Sequence, residues 1–365
     1  MVNRRVMALV STAAMILSAC ATGAPPTAST QPVAVATSAS ATQPGCVVGV
    51  SWGDRQGRWA AWDEPAMQKA LAAAGATYLS SDAMASAATQ ASDVESLISQ
   101  GARVLLIEAQ NGTAIVPSVM SATAHGIPVL AYDRLIEDPG SLYISFDNAE
   151  VGRMQARALL AAVPKGNYVF IKGDKGDANS DFLRAGQEEV LSDAIRSGDV
   201  KNVGETYTAN WNPGVAQAAM EEFLVANDNK VDAVLSENDG MAGGAIAALA
   251  VHGLAGVTAV SGQDGDSDAL NAVARGTQTV DVWKDARLLG KAGGEAAVQL
   301  CAGVAVGEVS GAAAFKTPAG NTVSSILLDP VPVTRDSLSV VLEAGWTTKD
   351  MLCHGVTAGA VAACP

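Results

Sequence analysis

A repeating order of apolar and polar positions runs through the chain from residue 46 onward. Short runs rich in β-branched residues alternate with polar or glycine-containing turns, and each turn leads into a segment whose apolar residues recur at helical spacing. The first such segment places four residues at i, i+3, i+4 and i+7: Met67, Ala70, Leu71 and Ala74. This stripe predicts one buried helix face that ends at Gly75, and the alternation as a whole is typical of parallel α/β structure.

Seven of the apolar runs are predicted to be strands. They are residues 47–51, 77–80, 104–107, 129–132, 168–171, 233–236 and 258–261. These strand–helix units, in a chain of 365 residues, fit two doubly wound α/β domains. In open parallel sheets the ligand binds outside the carboxyl ends of the strands, so the polar residues that follow each run are the candidates for a site.

The first 19 residues have the features of an export signal. Arg4 and Arg5 precede an uncharged run at 6–19, which would rise only ~21 Å as a helix, against ~30 Å for the hydrocarbon core of a bilayer. The segment 1–19 is therefore predicted to be a signal peptide and not a membrane span.

Cys20 follows this signal directly. The preceding Leu-Ser-Ala together with Cys20 resembles the lipobox of bacterial lipoproteins, in which cleavage precedes the cysteine and the thiol carries a lipid anchor. An ordinary secretory signal with a chance cysteine is the alternative. Residues 21–45 hold no charged residue and consist mostly of Ala, Thr, Ser and Pro, so 20–45 is predicted to be a lipidated cysteine and a flexible linker.

Composition and charge restrict the partner. The chain has 23 Lys and Arg against 37 Asp and Glu, a formal net charge of −14, which disfavours nucleic acid. Its 49% hydrophobic and 16% charged residues predict filled cores and not disorder. We therefore expect a globular protein whose ligand is not a polyanion.

Four further cysteines lie in the predicted exported body: Cys46, Cys301, Cys353 and Cys364. Disulfides can form outside the reducing cytoplasm, and four cysteines allow three pairings. The sequence favours Cys353 with Cys364, which bracket a short loop rich in Gly and Ala, and leaves Cys46 with Cys301 by elimination. A metal site is disfavoured, because the sequence has no CxxC and its three histidines show no ligand spacing.

Polar and aromatic side chains gather after the predicted strands. The candidate ligand-binding residues are Arg58, Trp59, Asp133, Arg134, Asp177, Asn179, Trp211, Asn238, Asp264 and Lys284. Adjacent sugar hydroxyls pair with charged planar groups and amides through short hydrogen bonds, and the C–H face of a sugar ring packs on an aromatic side chain. The set therefore predicts a pyranose site in which Trp59 and Trp211 sandwich the ring.

Some of these positions also have a purely structural explanation. Asp133 and Arg134 could form a surface ion pair. Asn238 and Asp239 could cap the helix that follows, and capping is the favoured role for Asp239. For Trp62, on the first helix, core packing is favoured over stacking on a ligand.

Six segments, in this order and spacing, carry a resemblance to a known family. They are Ala-Tyr-Asp-Arg at 131–134, Tyr-Ile-Ser-Phe-Asp-Asn at 143–148, Phe-Leu-Arg-Ala-Gly-Gln at 182–187, Asn-Asp at 238–239 with Ala-Gly-Gly-Ala-Ile at 242–246, Ser-Gly-Gln-Asp at 261–264 and Gly-Thr-Gln-Thr at 276–279. Over about residues 47–345 the chain resembles the periplasmic monosaccharide-binding proteins of ABC importers, and among them the D-xylose-binding proteins.

The resemblance implies a periplasmic binding protein fold of type I, with two doubly wound parallel-sheet domains joined by a three-strand hinge. The implied N-terminal lobe is 46–148 plus 283–329, and the implied C-terminal lobe is 149–282 plus 330–365. The chain would cross between them near Asn148, Val282 and Pro330. Position by position, the resemblance assigns sugar contact to the ten candidate residues.

The implied function is capture of a monosaccharide, D-xylose foremost, between the lobes and its delivery to an ABC permease in the membrane. The chain would act as a monomer without a cofactor, held to the outer face of the cell membrane by Cys20. A sugar-sensing protein that docks on a receptor, and a receptor for glucose, arabinose or ribose, use the same residue types and stay open as alternatives.

Two other classes are disfavoured. No histidine lies beside a serine at a strand end, so an enzyme is not expected. A transcriptional regulator with this fold would need a DNA-binding headpiece where the chain has its predicted export signal.

Two segments depart from the family. Residues 52–57 do not match its first loop, which leaves the roles of Trp52 and Asp54 open. The cysteine-bearing tail, 351–365, lies outside the likeness, and we expect it to serve stability.

Overall fold

Strands and helices alternate through residues 45–365, the part of the chain that the computed structural model describes. The strands are β1 Val47–Trp52, β2 Thr77–Asp82, β3 Val104–Glu108, β4 Val129–Tyr132, β5 Leu142–Phe146, β6 Gly166–Lys172, β7 Val200–Tyr207, β8 Ala233–Ser236, β9 Ala259–Gln263, β10 Val280–Trp283, β11 Ala313–Lys316, β12 Thr322–Leu328 and β13 Val331–Val333. The predicted signal peptide, the lipidated Cys20 and the linker up to residue 44 lie outside the described residues.

Helices cover the faces of the sheets. They are α1 Glu64–Ala73, α2 Ala87–Ser99, α3 Val116–Ala124, α4 Asn148–Ala162, α5 Ala178–Ser197, α6 Pro213–Ala226, α7 Asp239–Val251, α8 Ser267–Arg275, α9 Ala286–Cys301, α10 Ser339–Glu343 and α11 Lys349–Leu352. A turn of π-helix, Trp59–Asp63, leads directly into α1. Among residues 45–365, no helix combines the length and the apolar character needed to cross a membrane.

Two sheets organise the described chain. The first has the order β11-β12-β5-β4-β3-β1-β2, and the second has the order β13-β10-β9-β8-β6-β7. Neighbouring strands are parallel except at β11, which is antiparallel to β12, and at β13, which is antiparallel to β10. The two α/β domains predicted from the sequence are confirmed, each as a mixed sheet with helices on both faces.

Both sheets are packed on both faces. In the first lobe, α1 and α9 cover one face of the first sheet and α2 and α3 cover the other. In the second lobe, α4 and α5 cover one face of the second sheet and α6 and α7 cover the other. The inner strand β3 is buried along its whole length, which explains why its sequence is an unbroken apolar run before Glu108.

The chain passes between the sheets three times. The passages join β5 to α4, β10 to α9 and β12 to β13, close to the positions expected for the hinge. The first and third passages touch, because the backbone N–H of Asp147 donates to the carbonyl of Leu328 at 3.0 Å. These two passages therefore lie side by side.

Two disulfides close the described chain, with the pairing that the sequence favours. Cys46, just before β1, is bonded to Cys301 at the end of α9, 255 residues away. Cys353 is bonded to Cys364 in the tail. The tail packs with α8 and α10 in an apolar cluster that includes Leu352 and Val361. The first bridge closes a much longer loop, so it constrains the unfolded chain more strongly.

The strands that the sequence pattern missed include the outermost members of both sheets. β7 lies at the edge of the second sheet, and most of its residues are exposed or half-buried. Its polar sequence therefore lacks the apolar run that marked the central strands. β11 is likewise an exposed edge strand with a single half-buried residue.

Glycines allow α4 and α5 to approach each other closely. A Cβ on Gly152 would lie 2.0 Å from the carbonyl oxygen of Leu183, and a Cβ on Gly186 would lie 2.0 Å from that of Ala149. Both neighbours are backbone atoms, which cannot move aside without displacing a helix.

We predict opposite effects for two helical Gly→Ala substitutions. Gly186→Ala should lower the free energy of unfolding by about 1–3 kcal/mol, because the added methyl group forces α4 and α5 apart. Gly243→Ala in α7, where a Cβ meets nothing within 4 Å, should raise it by about 0.5–1 kcal/mol through helix propensity. Urea unfolding of both variants checks the pair, and equal effects would contradict this packing.

Candidate functional site

A cavity of about 340 Å³ lies between the two lobes, at the carboxyl ends of the strands. All ten candidate residues line it: Arg58, Trp59, Asp133, Arg134, Asp177, Asn179, Trp211, Asn238, Asp264 and Lys284. Further polar side chains that the sequence did not single out also line it, and they are Gln56, Gln110, Asp174, Asn210, Gln263 and Asp266. Asp54, whose role was open, is part of the lining as well.

Arg58 is the centre of the charged network. Its guanidinium donates to Asp133 at 3.0 Å and to Asp264 at 3.1 Å, and it lies 3.4 Å from Asp63. Asp133 belongs to the first lobe and Asp264 to the second, so this one buried cation bridges the lobes. Burial alone would raise the pKa of Asp133, but the cations Arg58, Lys284 and Arg134 hold it below its usual range.

Arg134 makes a second bridge between the lobes. Its Nε lies 2.9 Å from Glu108 at the end of β3 and 3.0 Å from Asp177, which caps α5 of the second lobe. Burial raises the pKa of Glu108 to about 7 and that of Asp177 to about 6, against the attraction of Arg134. The surface ion pair considered for Asp133 and Arg134 is not present, because each faces buried partners instead.

Lys284 is held by the hinge. It is only 2% exposed, and its Nζ donates to Asn148 Oδ1 at 2.7 Å. The amide of Asn148 in turn donates to Asn179 at 2.9 Å. Burial lowers the pKa of Lys284, although Asp264 and Asp133 oppose that shift. A hinge residue therefore positions a candidate ligand residue.

Asn179 differs from the other candidates because its amide is largely occupied. Its Oδ1 accepts from Asn148 and from the hydroxyl of Tyr143, and its Nδ2 donates to the carbonyl of Asp133 at 3.2 Å. These partners belong to the first lobe or to the hinge. Asn179 therefore acts mainly as a contact between the lobes.

The two candidate stacking residues approach the cavity from different lobes. Trp59 packs in a first-lobe cluster with Trp52 and Tyr132, and the Arg58 guanidinium lies 4.1 Å from the centre of its ring. Trp211 lies against Gly173, where a Cβ would come within 2.1 Å of the indole. Each indole is thus backed by fixed structure and can offer a face to a ligand.

Trp52 is a core residue and not a ligand residue. It is fully buried, and its Nε1 donates to the hydroxyl of Tyr78 at 3.1 Å. Trp62 is half-buried and stacks on Trp346 with ring centres 4.6 Å apart, which agrees with the packing role favoured for it.

The capping role expected for Asp239 is wrong. Asn238 has the extended backbone of a cap, and its side chain accepts from the N–H of Met241 at 2.9 Å. Asp239 is already inside α7, and its carboxylate instead accepts from the backbone N–H groups of Gly265 and Asp266, at 3.0 and 2.9 Å. It holds the loop that carries Asp264.

Both carboxylates that bridge to Arg58 sit on unusual backbone. The φ angles are +61° at Asp133 and +104° at Asp264, in the region that normally favours glycine. Such conformations cost about 1–3 kcal/mol each and persist where the surroundings over-determine them. Here the backbone N–H of Asp133 donates to Ile144 and that of Asp264 donates to Val282, which fixes the direction of each carboxylate.

Comparison with known proteins identifies the family. A family model described as a periplasmic binding protein domain matches residues 48–305. The chain belongs to the periplasmic binding proteins. This family consists of extracytoplasmic solute-binding proteins, and not of enzymes. The resemblance found in the sequence is thereby confirmed.

Relatives of this periplasmic binding protein are similar over most of its length. The D-xylose-binding periplasmic protein of Escherichia coli (strain K12) is 41% identical over 266 residues, which cover 72% of this chain and 79% of the relative. The protein of the same description from Haemophilus influenzae is 39% identical, over 73% of this chain and 79% of its own.

A solved structure shows the same architecture. It is an ABC transporter solute-binding protein from Clostridium phytofermentans with bound β-D-glucose, and it superposes with a TM-score of 0.76 at 29% identity. The match covers 84% of this chain and 99% of the solved one.

A pair of buried carboxyl groups lies behind the cavity of this periplasmic binding protein. The N–H of Gly265 is 3.0 Å from Asp239 Oδ2 and 3.3 Å from Asp281 Oδ1, so the two carboxyls converge on one donor. Burial raises the pKa of both well above the usual value, and nearby carboxylates raise it further. The folded chain therefore keeps protons that the unfolded chain releases above about pH 4.

This pair predicts a pH-dependent stability. Because the folded state binds more protons than the unfolded state, stability falls as the pH rises from about 4. Asp281→Asn removes one ionisable group and can donate to Asp239, so it should raise the melting temperature by roughly 2–4 °C at pH 8 and by nothing at pH 4. Thermal melts across that range check this, with Asp193→Asn, an exposed carboxylate, as control. A gain that is independent of pH would contradict the raised pKa values of this pair.

Proposed function

We propose that this protein captures a single aldopyranose, D-xylose foremost, in the crevice between its lobes and delivers it to an ABC permease. One observation carries the proposal: carboxylates, guanidiniums and amides from both lobes converge with two indoles on one cavity. That combination suits a ring with adjacent hydroxyls and an apolar C–H face. The two D-xylose-binding relatives support the choice of sugar.

The size of the cavity supports a monosaccharide. About 340 Å³ lies at the small end of the ~300–1,000 Å³ that ligand pockets span. Its polar groups are anchored before a ligand arrives, because Arg58 and Arg134 are held by carboxylates on several sides. A hydroxyl that fails to meet its partner leaves a buried group unpaired, at about 1–3 kcal/mol, which would allow the site to reject an epimer.

Capture would proceed by movement of the lobes about the three passages. Arg58 with Asp264, and Arg134 with Asp177, already connect the two sides of the crevice. A sugar bonded to both sides adds to the interactions that exist only when the lobes are together, so it shifts the population toward the closed form. No bond of the sugar is made or broken in this scheme.

The family and the predicted N-terminal segment together support a cellular location at the membrane, outside the cytoplasm. A lipid anchor on Cys20 and a flexible linker would keep the binding domain at the outer face of the cell membrane, near the permease. Anchoring prevents the loss of a receptor by diffusion.

Calorimetric titration tests the sugar assignment. D-Xylose should bind with measurable heat, and Asp264→Asn should weaken it by roughly 10- to 100-fold, because the loss of one carboxylate oxygen removes a charge-assisted bond. Asp193→Asn, far from any cavity residue in sequence and exposed, should bind as the unmodified chain does. Flat heats for all common pentoses and hexoses would refute the proposal.

Detergent partitioning tests the anchor. When the full-length chain is produced in a bacterium that processes lipoproteins, it should enter the detergent phase of Triton X-114. Cys20→Ser should move it to the aqueous phase, because the thiol that takes the lipid is gone. If both forms partition alike, the lipid anchor is ruled out.

A further inference from the structure

A tryptophan outside the cavity reaches the loop that carries Asp264. The indole Nε1 of Trp346 donates to the carbonyl of Gly265 at 2.6 Å, and this bond is buried. Trp346 is only 4% exposed and belongs to the segment between α10 and α11. It does not line the cavity, but its hydrogen-bond partner Gly265 directly follows Asp264, which does.

This bond completes the support of a strained loop. The N–H groups of Asp264, Gly265 and Asp266 are held by Val282 and Asp239, while Trp346 holds the carbonyl of Gly265. A Cβ on Gly265 would lie 2.4 Å from Trp283 and 3.0 Å from the indole nitrogen of Trp346. The loop therefore has little space in which to change the direction of Asp264.

Trp346 also contacts the first lobe. Its ring stacks on Trp62, at 4.6 Å between centres and 25° between planes. Trp62 lies in the π-helical turn that follows Arg58, the partner of Asp264 across the crevice. Arg287 of α9 lies beside this stack, with its guanidinium 5.8 Å from the ring centre of Trp62 and 5.3 Å from that of Trp346. It also donates to the carbonyl of Ala344 at 3.0 Å.

We propose that Trp346 is a positioning residue of the sugar site. Its indole N–H sets the direction of Asp264 through Gly265, and its stack on Trp62 ties that loop to the turn that carries Arg58. One side chain thus couples the position of a second-lobe ligand residue to the contact between the lobes. The inference rests on the proposed function, because the quantity it changes is the affinity for the sugar.

Two matched substitutions isolate the hydrogen bond. Trp346→Phe keeps a ring that can stack on Trp62 but removes the donor to Gly265. Trp283→Phe is the control, because Trp283 is equally buried in the same cluster and its Nε1 has no hydrogen-bond partner among the described residues. We expect D-xylose affinity to fall about 10-fold in the first variant and less than about 3-fold in the second.

A double-mutant cycle separates positioning from general stability. If Trp346 acts through Asp264, Trp346→Phe should have little further effect on affinity in the Asp264→Asn background. Melting temperatures are measured in parallel, and a similar loss in both Trp→Phe variants would show that the difference in affinity is not a difference in folding. Additive losses of affinity in the cycle would overturn the inference.

A third variant tests the stack. Trp62→Leu keeps apolar contact and leaves the Trp346 hydrogen bond intact, so it should increase the sugar dissociation rate about 5-fold in stopped-flow displacement. An unchanged rate would overturn the coupling to the first lobe. If the unmodified chain bound no sugar, the proposed function and the inference would both fall, whereas normal binding with an additive cycle would remove the inference alone.

Discussion

Buried cations that share carboxylates between the lobes are the constraint on which the rest of the site depends. Arg58 and Arg134 lie almost out of water, and a charge in that position is tolerated only if partners surround it. Each arginine has partners on both sides of the crevice. The second lobe adds Asp264 to the partners of Arg58 and Asp177 to those of Arg134, so the full set of partners exists only when the lobes are together.

The local backbone is adapted to that constraint. Asp133 and Asp264 accept strained φ angles so that their carboxylates meet the same guanidinium, and neither position is held by its own side chain alone. Asp239 and Asp281 do not line the cavity. Burial raises the pKa of both, and their carboxyl groups accept from the N–H of Gly265 in the loop. These buried carboxyl groups lower the stability of the fold, but they fix the loop that presents Asp264 to the cavity.

The sequence predicted the fold and ten of the residues that line the cavity because both follow local rules. Parallel strands bring their carboxyl ends to one edge, so residues that follow distant apolar runs meet there. Other features depend on pairs of residues far apart in the chain. Examples are the Asp239–Gly265 bond, the Asn148–Lys284 bond and the Trp346–Gly265 bond. Glu108 directly follows the apolar run at 104–107, so its position could have marked it as a candidate for the site. It was not singled out because one acid after an apolar run also fits the simple end of a strand.

The disulfide between Cys46 and Cys301 has a mechanical consequence. Cys46 stands at the amino end of β1, and the crevice is at the carboxyl end, roughly 20 Å away along six residues. If the chain were pulled at residue 45, the force would reach the Cys46–Cys301 disulfide, and through it α9, one residue later. The force would then act on the first lobe at the amino end of β1, away from the crevice. The lobes could still open and close around a ligand while the chain is pulled.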